Sequence, residues 1–178
     1  MRHTQTEIRG EVLRLDVPVV LQASVSSCVL AAVSGLIWYR TGRAIRQRDL
    51  SAELKQRWTQ DGTTLQQARD LLRRHANIEI DERVTATFAG VTRAIEAQCP
   101  MLASLHVSER SGHMVTVVGV VRGATASVVI NDPNLRWPLL VPWREFSASL
   151  SRIGFVTAAP SLAPTAPRLA AIESRSAT

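Results

Sequence analysis

The stretch LQASVSSCVLAAVSGLIWYRTG, residues 21–42, opens on serines and runs into an almost unbroken apolar segment. Ser24, Ser26 and Ser27 are residue types that start helices, because a short hydroxyl can satisfy the free N–H groups of a first turn. Apolar residues then fill nearly every position from about Cys28 to Tyr39, and Gly42 supplies a stop. A helix that is apolar all round has no face to give to water, so the pattern predicts a buried helix at the centre of a domain. Just upstream, Val17 to Leu21 is apolar and extended, and Pro18 argues against a regular central strand there.

Downstream of this helix the chain stays helical. Gln47 to Trp58 carries Leu50, Leu54 and Trp58 at helical spacing, and Asp61-Gly62 is a turn. Thr63 and Gln66 form a capping-box pattern that opens a third helix bearing Leu65, Leu71 and Leu72. Phe88 to Ala97 is a shorter fourth helix with Phe88, Val91 and Ile95 on one side. The texture then changes. Met101–Val107, His113–Val121, Ala126–Asn131 and Ile153–Thr157 are short runs rich in β-branched residues and read as strands. Helices first and strands second argue an α+β fold, with N-terminal helices packed on a C-terminal antiparallel sheet. The expected domain is 17–158, between a polar lead-in at 1–16 and a disordered Ala/Pro/Ser-rich tail at 159–178.

Composition excludes several classes. With 178 residues and 46% hydrophobic content the chain can build one core. No window is long and apolar enough for a membrane span, and Met1 to Gly10 lacks the apolar stretch of a secretory signal. A cytoplasmic protein, or one exported by a route without such a signal, is the expectation. The net charge is +6 and the pI about 10.8, but the arginines are spread out, without a nucleic-acid module or a stacking series of aromatics; no nucleic-acid partner is expected. Cys28 and Cys99 are too few for a disulfide scaffold and stand in no metal-type spacing. A Cys28–Cys99 bridge would need an oxidising compartment, so both are read as free thiols and no cofactor or metal is expected.

Chemistry gathers around Cys28. A thiol becomes a nucleophile as the thiolate, and a helix N-terminus favours that anion through its free N–H groups and its dipole. The same position also suits an ordinary core cysteine. Four histidines could serve as its base. His3 lies in the lead-in, His75 at the end of an amphipathic helix and His106 inside a strand, whereas His113 follows Ser111-Gly112 and opens the strongest strand, HMVTVVGVV. An imidazole base needs a partner that holds its tautomer and ring angle. If Arg122-Gly123 is a tight turn, Val121 faces Ala124 and the ladder carries back to set His113 opposite Asp132 on one face. A slip of one residue would favour Asn131 instead, and the run Asn131-Asp132-Pro133-Asn134 is also a set of turn formers. Gln22, six residues before Cys28, is a candidate oxyanion amide beside the nucleophile's own N–H.

Gln22, Cys28, a long helix, Gly112-His113 and Asn131-Asp132-Pro133 occur in an order that resembles the papain-like cysteine peptidases. The likeness is greatest to small bacterial members, including peptidase domains that process bacteriocin leaders at double-glycine sites. LQASVSSCVLAAVSGLIWYRTG is similar to the family's nucleophile stretch, DGTTLQQARDLLRRH to a segment in which a Gly-Thr pair opens a helix, SGHMVTVVGVV to the histidine strand, and VVINDP to the segment ending in the orienting acid. Val29 departs from the Trp or Gly that many members place after the nucleophile. The resemblance implies a papain-like fold and a hydrolase that cuts a peptide bond through a thioester, with Cys28 as nucleophile, His113 as base, Asp132 orienting it and Gln22 at the oxyanion. It implies a peptide or protein substrate, in leader processing or an effector setting. Two other readings stand beside it: a silent peptidase-like module that binds a peptide, and a transglutaminase-like acyl transferase.

Overall fold

A helix with no polar face needs neighbours on every side, and the computed structural model supplies them. It describes residues 10–57, 62–108 and 111–158. Helix α1 spans Cys28–Thr41, and each residue from Val29 to Ile37 is buried. It ends at Gly42, whose φ of 70° is left-handed and whose N–H closes on Trp38 O. The short α2 (Gln47–Glu53) and the amphipathic α3 (Leu65–Ala76) pack against α1. The capping box of α3 sits one residue later than the sequence suggests, with Thr64 and Gln67 as its reciprocal pair. Thr63 instead donates to Gln56 Oε1. Helix α4 (Phe88–Glu96) starts at a Thr87 cap, and α5 (Trp143–Ser149) precedes the last strand.

The sheet is antiparallel throughout, ordered β2 (Ile78–Arg83), β7 (Leu150–Ala158), β3 (Met101–Ser108), β4 (Ser111–Gly123), β5 (Ser127–Asn131) and β6 (Leu139–Pro142). Strand β1 (Gly10–Arg14) lies off this path and pairs with β4. The architecture is the α+β arrangement of helices on an antiparallel sheet that the sequence predicts, with two additions. Residues 10–14, expected in a polar lead-in, form β1. Residues 78–83, where no strand was expected, form β2 at the sheet edge, its isoleucines inward and its charges outward. Residues 159–178, expected to be a disordered tail, lie outside the described residues, as does the polar start at residues 1–9.

Strand β4 is the spine. It is buried without alternation from Met114 to Val121, because α1 and α4 both pack on it. Its partner on one edge changes midway: β3 pairs with it as far as Val117 and β1 from Gly119. At the changeover Val118 O takes the N–H of Leu15, and a bulge interrupts the β4–β5 ladder between Val117 and Gly119. Gly119 is required at this crossing, since a Cβ there would lie 2.6 Å from Leu13 O.

The bulge sets the register that matters for the site. The β4–β5 connection is longer than a tight Arg122-Gly123 turn: Val121 faces Ser127, not Ala124. That displaces the expected register by three residues, an odd number, which alone would turn Asp132 to the wrong face. Past the bulge Thr116 faces Asn131 instead of Val129, a displacement of two. The even displacement restores the face.

Candidate active site

Ser27 is the N-cap of α1 but lends its side chain elsewhere. Its Oγ accepts from Ser24 N–H at 2.9 Å and donates to Ser24 O at 3.0 Å, closing the turn ahead of the helix. Ser27 makes no side-chain cap to the first turn of α1. The helix N-terminus is thereby left open beside Cys28, its first residue, which is half-buried and a free thiol.

His113 comes from the start of β4, on the opposite face of that strand from Thr116. It lies beside Cys28, near enough for each group to shift the other's pKa. On its other side its Nε2–H donates to Asp132 Oδ1 at 2.7 Å, the two side chains being 17% and 18% exposed. With Nε2 committed to the acid, Nδ1 is the ring atom left for the thiol. His113 and Asp132 meet as diagonal neighbours, not as the directly opposed pair expected from the tight turn. Asn131 points the other way: it is 5% exposed and its Nδ2 donates to Val17 O at 2.9 Å. Asp132 also serves the turn, since its Oδ1 accepts Asn134 N–H at 2.8 Å. Asp132 thus meets both the His113 ring and the turn.

The electrostatics favour an ion pair. Burial alone would push the Cys28 thiol up. The hydrogen bond from His113, backbone hydrogen bonds from Met114 and Val29, and the charge of the ring outweigh it, so the thiol lies below its ordinary value. The hydrogen bond with Cys28 is the largest influence on His113. Burial works against it, but the bond to Asp132 and the charges of Asp132 and Cys28 add to it, and the ring is pushed up to about 9. The lowered thiol and the raised imidazole together favour a thiolate–imidazolium pair, suited to nucleophilic attack and then to protonation of a leaving amine.

Gln22 is brought to this cluster through its main chain. Its N–H donates to Pro133 O at 2.8 Å, directly after Asp132. Its side-chain Oε1 is buried and has no hydrogen-bond partner among the described residues. The other histidines stay out of the site: His75 pairs with Glu53 at 2.9 Å, His106 is an exposed position on β3, and His3 lies outside the described residues. Cys99 follows α4, with its Sγ against Ala97 O, and it lies near Tyr39, whose pKa is raised first by burial and further by Cys99. Tyr39 is eleven residues along α1 from Cys28, about 16 Å at helical rise, so the fold keeps the two thiols apart. Sequence reasoning passed over Asn134, whose Nδ2 lies 3.4 Å from His113 Nε2, and Gln47, which binds the Gln22 segment. The NDPN turn signal could have pointed to Asn134; nothing local points to Gln47. No group of three or more His, Cys, Asp or Glu among the described residues is placed to hold a metal ion. No described helix is long and apolar enough to cross a membrane.

Comparison with known proteins bears on the family and the fold. The model of a family described as the Peptidase_C39 like family matches residues 14–156. No curated protein matches the sequence. The peptidase domain of Streptococcus ComA, a bi-functional ABC transporter involved in a quorum-sensing pathway, superposes with a TM-score of 0.62 at 14% identity, covering 79% of this chain and 97% of that one. A C39-like peptidase from Bacillus anthracis gives 0.62 at 14% identity, covering 84% and 100%. The ragweed pollen cysteine protease Amb a 11, in its proform, gives 0.54 at 11% identity, covering 86% and 66%. Identities this low establish the shared fold, that of papain-like cysteine peptidases.

Proposed function

The chain belongs to the Peptidase_C39 like family, and from that premise we propose that it is an active cysteine peptidase whose triad is Cys28, His113 and Asp132. The observation that carries the reading is that His113, which lies beside Cys28 closely enough for the two to shift each other's pKa, donates to Asp132 at 2.7 Å. The Cys28 thiolate adds to a peptide carbonyl carbon. The oxygen takes up the electron pair and is held by the Cys28 N–H and the Gln22 amide. The C–N bond then breaks, His113 gives its proton to the departing amine, and a thioester remains. Water, deprotonated by His113, hydrolyses the thioester and frees the thiolate. Asp132 keeps the ring angle and favours the imidazolium. Every proton in this cycle is carried by the protein's own residues or by water.

The substrate we propose is a peptide or protein, with removal of a leader segment as the specific form; the motif order that resembles the leader-processing peptidase domains supports that choice. The test is incubation of the full chain with peptide libraries that include double-glycine leader sequences, products being identified by mass spectrometry. Cleavage that vanishes on alkylation of Cys28 supports the proposal. Binding without cleavage would mean a silent module. Incorporation of an added amine in preference to hydrolysis would mean an acyl transferase.

A further inference from the structure

We infer that Gln47 is a positioning residue for the oxyanion site, its carboxamide clamping the main chain on both sides of Gln22. The inference rests on the proposed role of Gln22 and names what holds that residue in place. Gln47 opens α2, yet it is only 9% exposed, an uncommon location for a glutamine. Its Nε2 donates to Leu21 O at 2.6 Å and its Oε1 accepts from Ala23 N–H at 3.1 Å. One side-chain amide thus completes the main chain of two residues that flank a third, as a neighbouring strand would. The N–H of the residue between them, Gln22, points the other way, to Pro133 O at 2.8 Å. Residues 21–23 are held from both edges.

The clamp matters because the Gln22 side chain lacks an anchor of its own at Oε1, which is buried without a partner among the described residues. The position of its amide is therefore inherited from the main chain beneath it. The clamp is itself tied to the rest of the site. Buried Ser34 on α1 donates from Oγ to Ile45 O at 2.5 Å, two residues before Gln47. The helix that begins at Cys28 thus holds the loop that holds Gln47, while Pro133 follows Asp132. Gln22 is fixed relative to nucleophile and acid together, and small displacements at such sites cost rate steeply.

The test compares wild type, Gln47→Met, Gln22→Ala and the double variant as full chains. Gln47→Met keeps the bulk and removes both bonds. Peptide turnover is set beside the rate at which iodoacetamide alkylates Cys28, a displacement at carbon that builds no oxyanion. Gln47→Met should lower kcat about tenfold or more, with KM changed by less than about twofold, and leave alkylation and its pH dependence as in wild type. In the Gln22→Ala background the same change should have almost no further effect on kcat. Gln47→Glu, which keeps the acceptor for Ala23 N–H, should fall between the two and serves should the methionine variant fail to fold. An equal loss of kcat with and without Gln22, or a parallel loss of alkylation, would reduce Gln47 to a structural residue and overturn the inference. If Gln22→Ala leaves kcat at the wild-type value, the oxyanion role of Gln22 fails first and the role of Gln47 falls with it.

Discussion

The N-terminus of α1 and the β4–β5 ladder each bring one partner of the Cys28–His113 pair, and they differ in how far along the chain their causes lie. Everything that starts and ends α1 is found between Ser24 and Gly42: the closed serine turn, the apolar run and the left-handed glycine. The His113–Asp132 contact has no such local origin. It depends on a long connection after β4, on a bulge at Val118, and on strand β1, which takes over the edge of β4 at that residue. A local element tolerates error elsewhere in the chain. A register transmits it, because one residue of slip exchanges the faces of the whole strand.

The largest effect should come from the local half. Cys28→Ala should lower peptide turnover by about 10⁴-fold or more and leave the unfolding midpoint nearly unchanged, since alanine fits the first turn of a helix. Steady-state hydrolysis beside a thermal melt checks both; surviving activity would remove α1 from the chemistry altogether.

The ladder half is tested next. Asp132→Ala should lower kcat by about 10²- to 10³-fold with little change in KM. In wild type the rate should decline as the pH rises through about 9, where the imidazolium of His113 is lost. The hydrogen bond and negative charge of Asp132 favour that imidazolium, so without them the decline must move to lower pH. Asn131→Ala should leave the alkaline limb in place and instead cost about 1–3 kcal/mol of stability, because Val17 O loses its buried donor. The opposite ranking in pH–rate profiles would mean that the ladder is slipped by one.

A third change acts inside the ladder half, away from the site itself. Gly119→Ala places a Cβ 2.6 Å from Leu13 O and must push β1 off β4. The expected cost is about 1–3 kcal/mol, accompanied by lower activity per folded molecule, because the bulge at the β1–β3 changeover keeps Asp132 on the face of His113. Full specific activity in a destabilised Gly119→Ala protein would detach the bulge from the site. The smallest effect belongs to a purely local device away from the chemistry. Thr64→Ala removes the reciprocal cap of α3 and should cost about 1 kcal/mol in a denaturant titration, with kcat unaltered.

The misreadings of the chain sort by the same distinction. The sequence suggests Thr63 and Gln66 for the capping box of α3 and Thr64 and Gln67 form it, a difference of one within a signal that is itself local. Strand β2 alternates in IEIDER but is short and charged, and becomes a strand by pairing with β7 from the far end of the domain. Strand β1 is polar outside and half-buried inside, and its residues alone predict a lead-in because its partner β4 lies far downstream (Leu13 pairs with Val120). Missing β1 also hid the reason for the bulge. Asp132 was reached through a register in error by two residues, and the contact exists because an even displacement keeps the face.

By itself the sequence determined the buried central helix with Cys28 at its head, the switch from helices to an antiparallel sheet, and the residue types gathered for thiol chemistry. Each follows from propensities and periodicities acting over a turn or two of chain. Only the tertiary structure decided that Asp132, and not Asn131, faces His113, and that a glutamine 24 to 26 residues away grips the main chain around Gln22. Those outcomes turn on which strand edge is already occupied, and on side chains that bond the main chain of distant residues, as Asn131 does across 114 positions to Val17. A hydrogen bond to a main-chain carbonyl or N–H is indifferent to the identity of the residue it binds, so it leaves no pattern in the sequence at the receiving end.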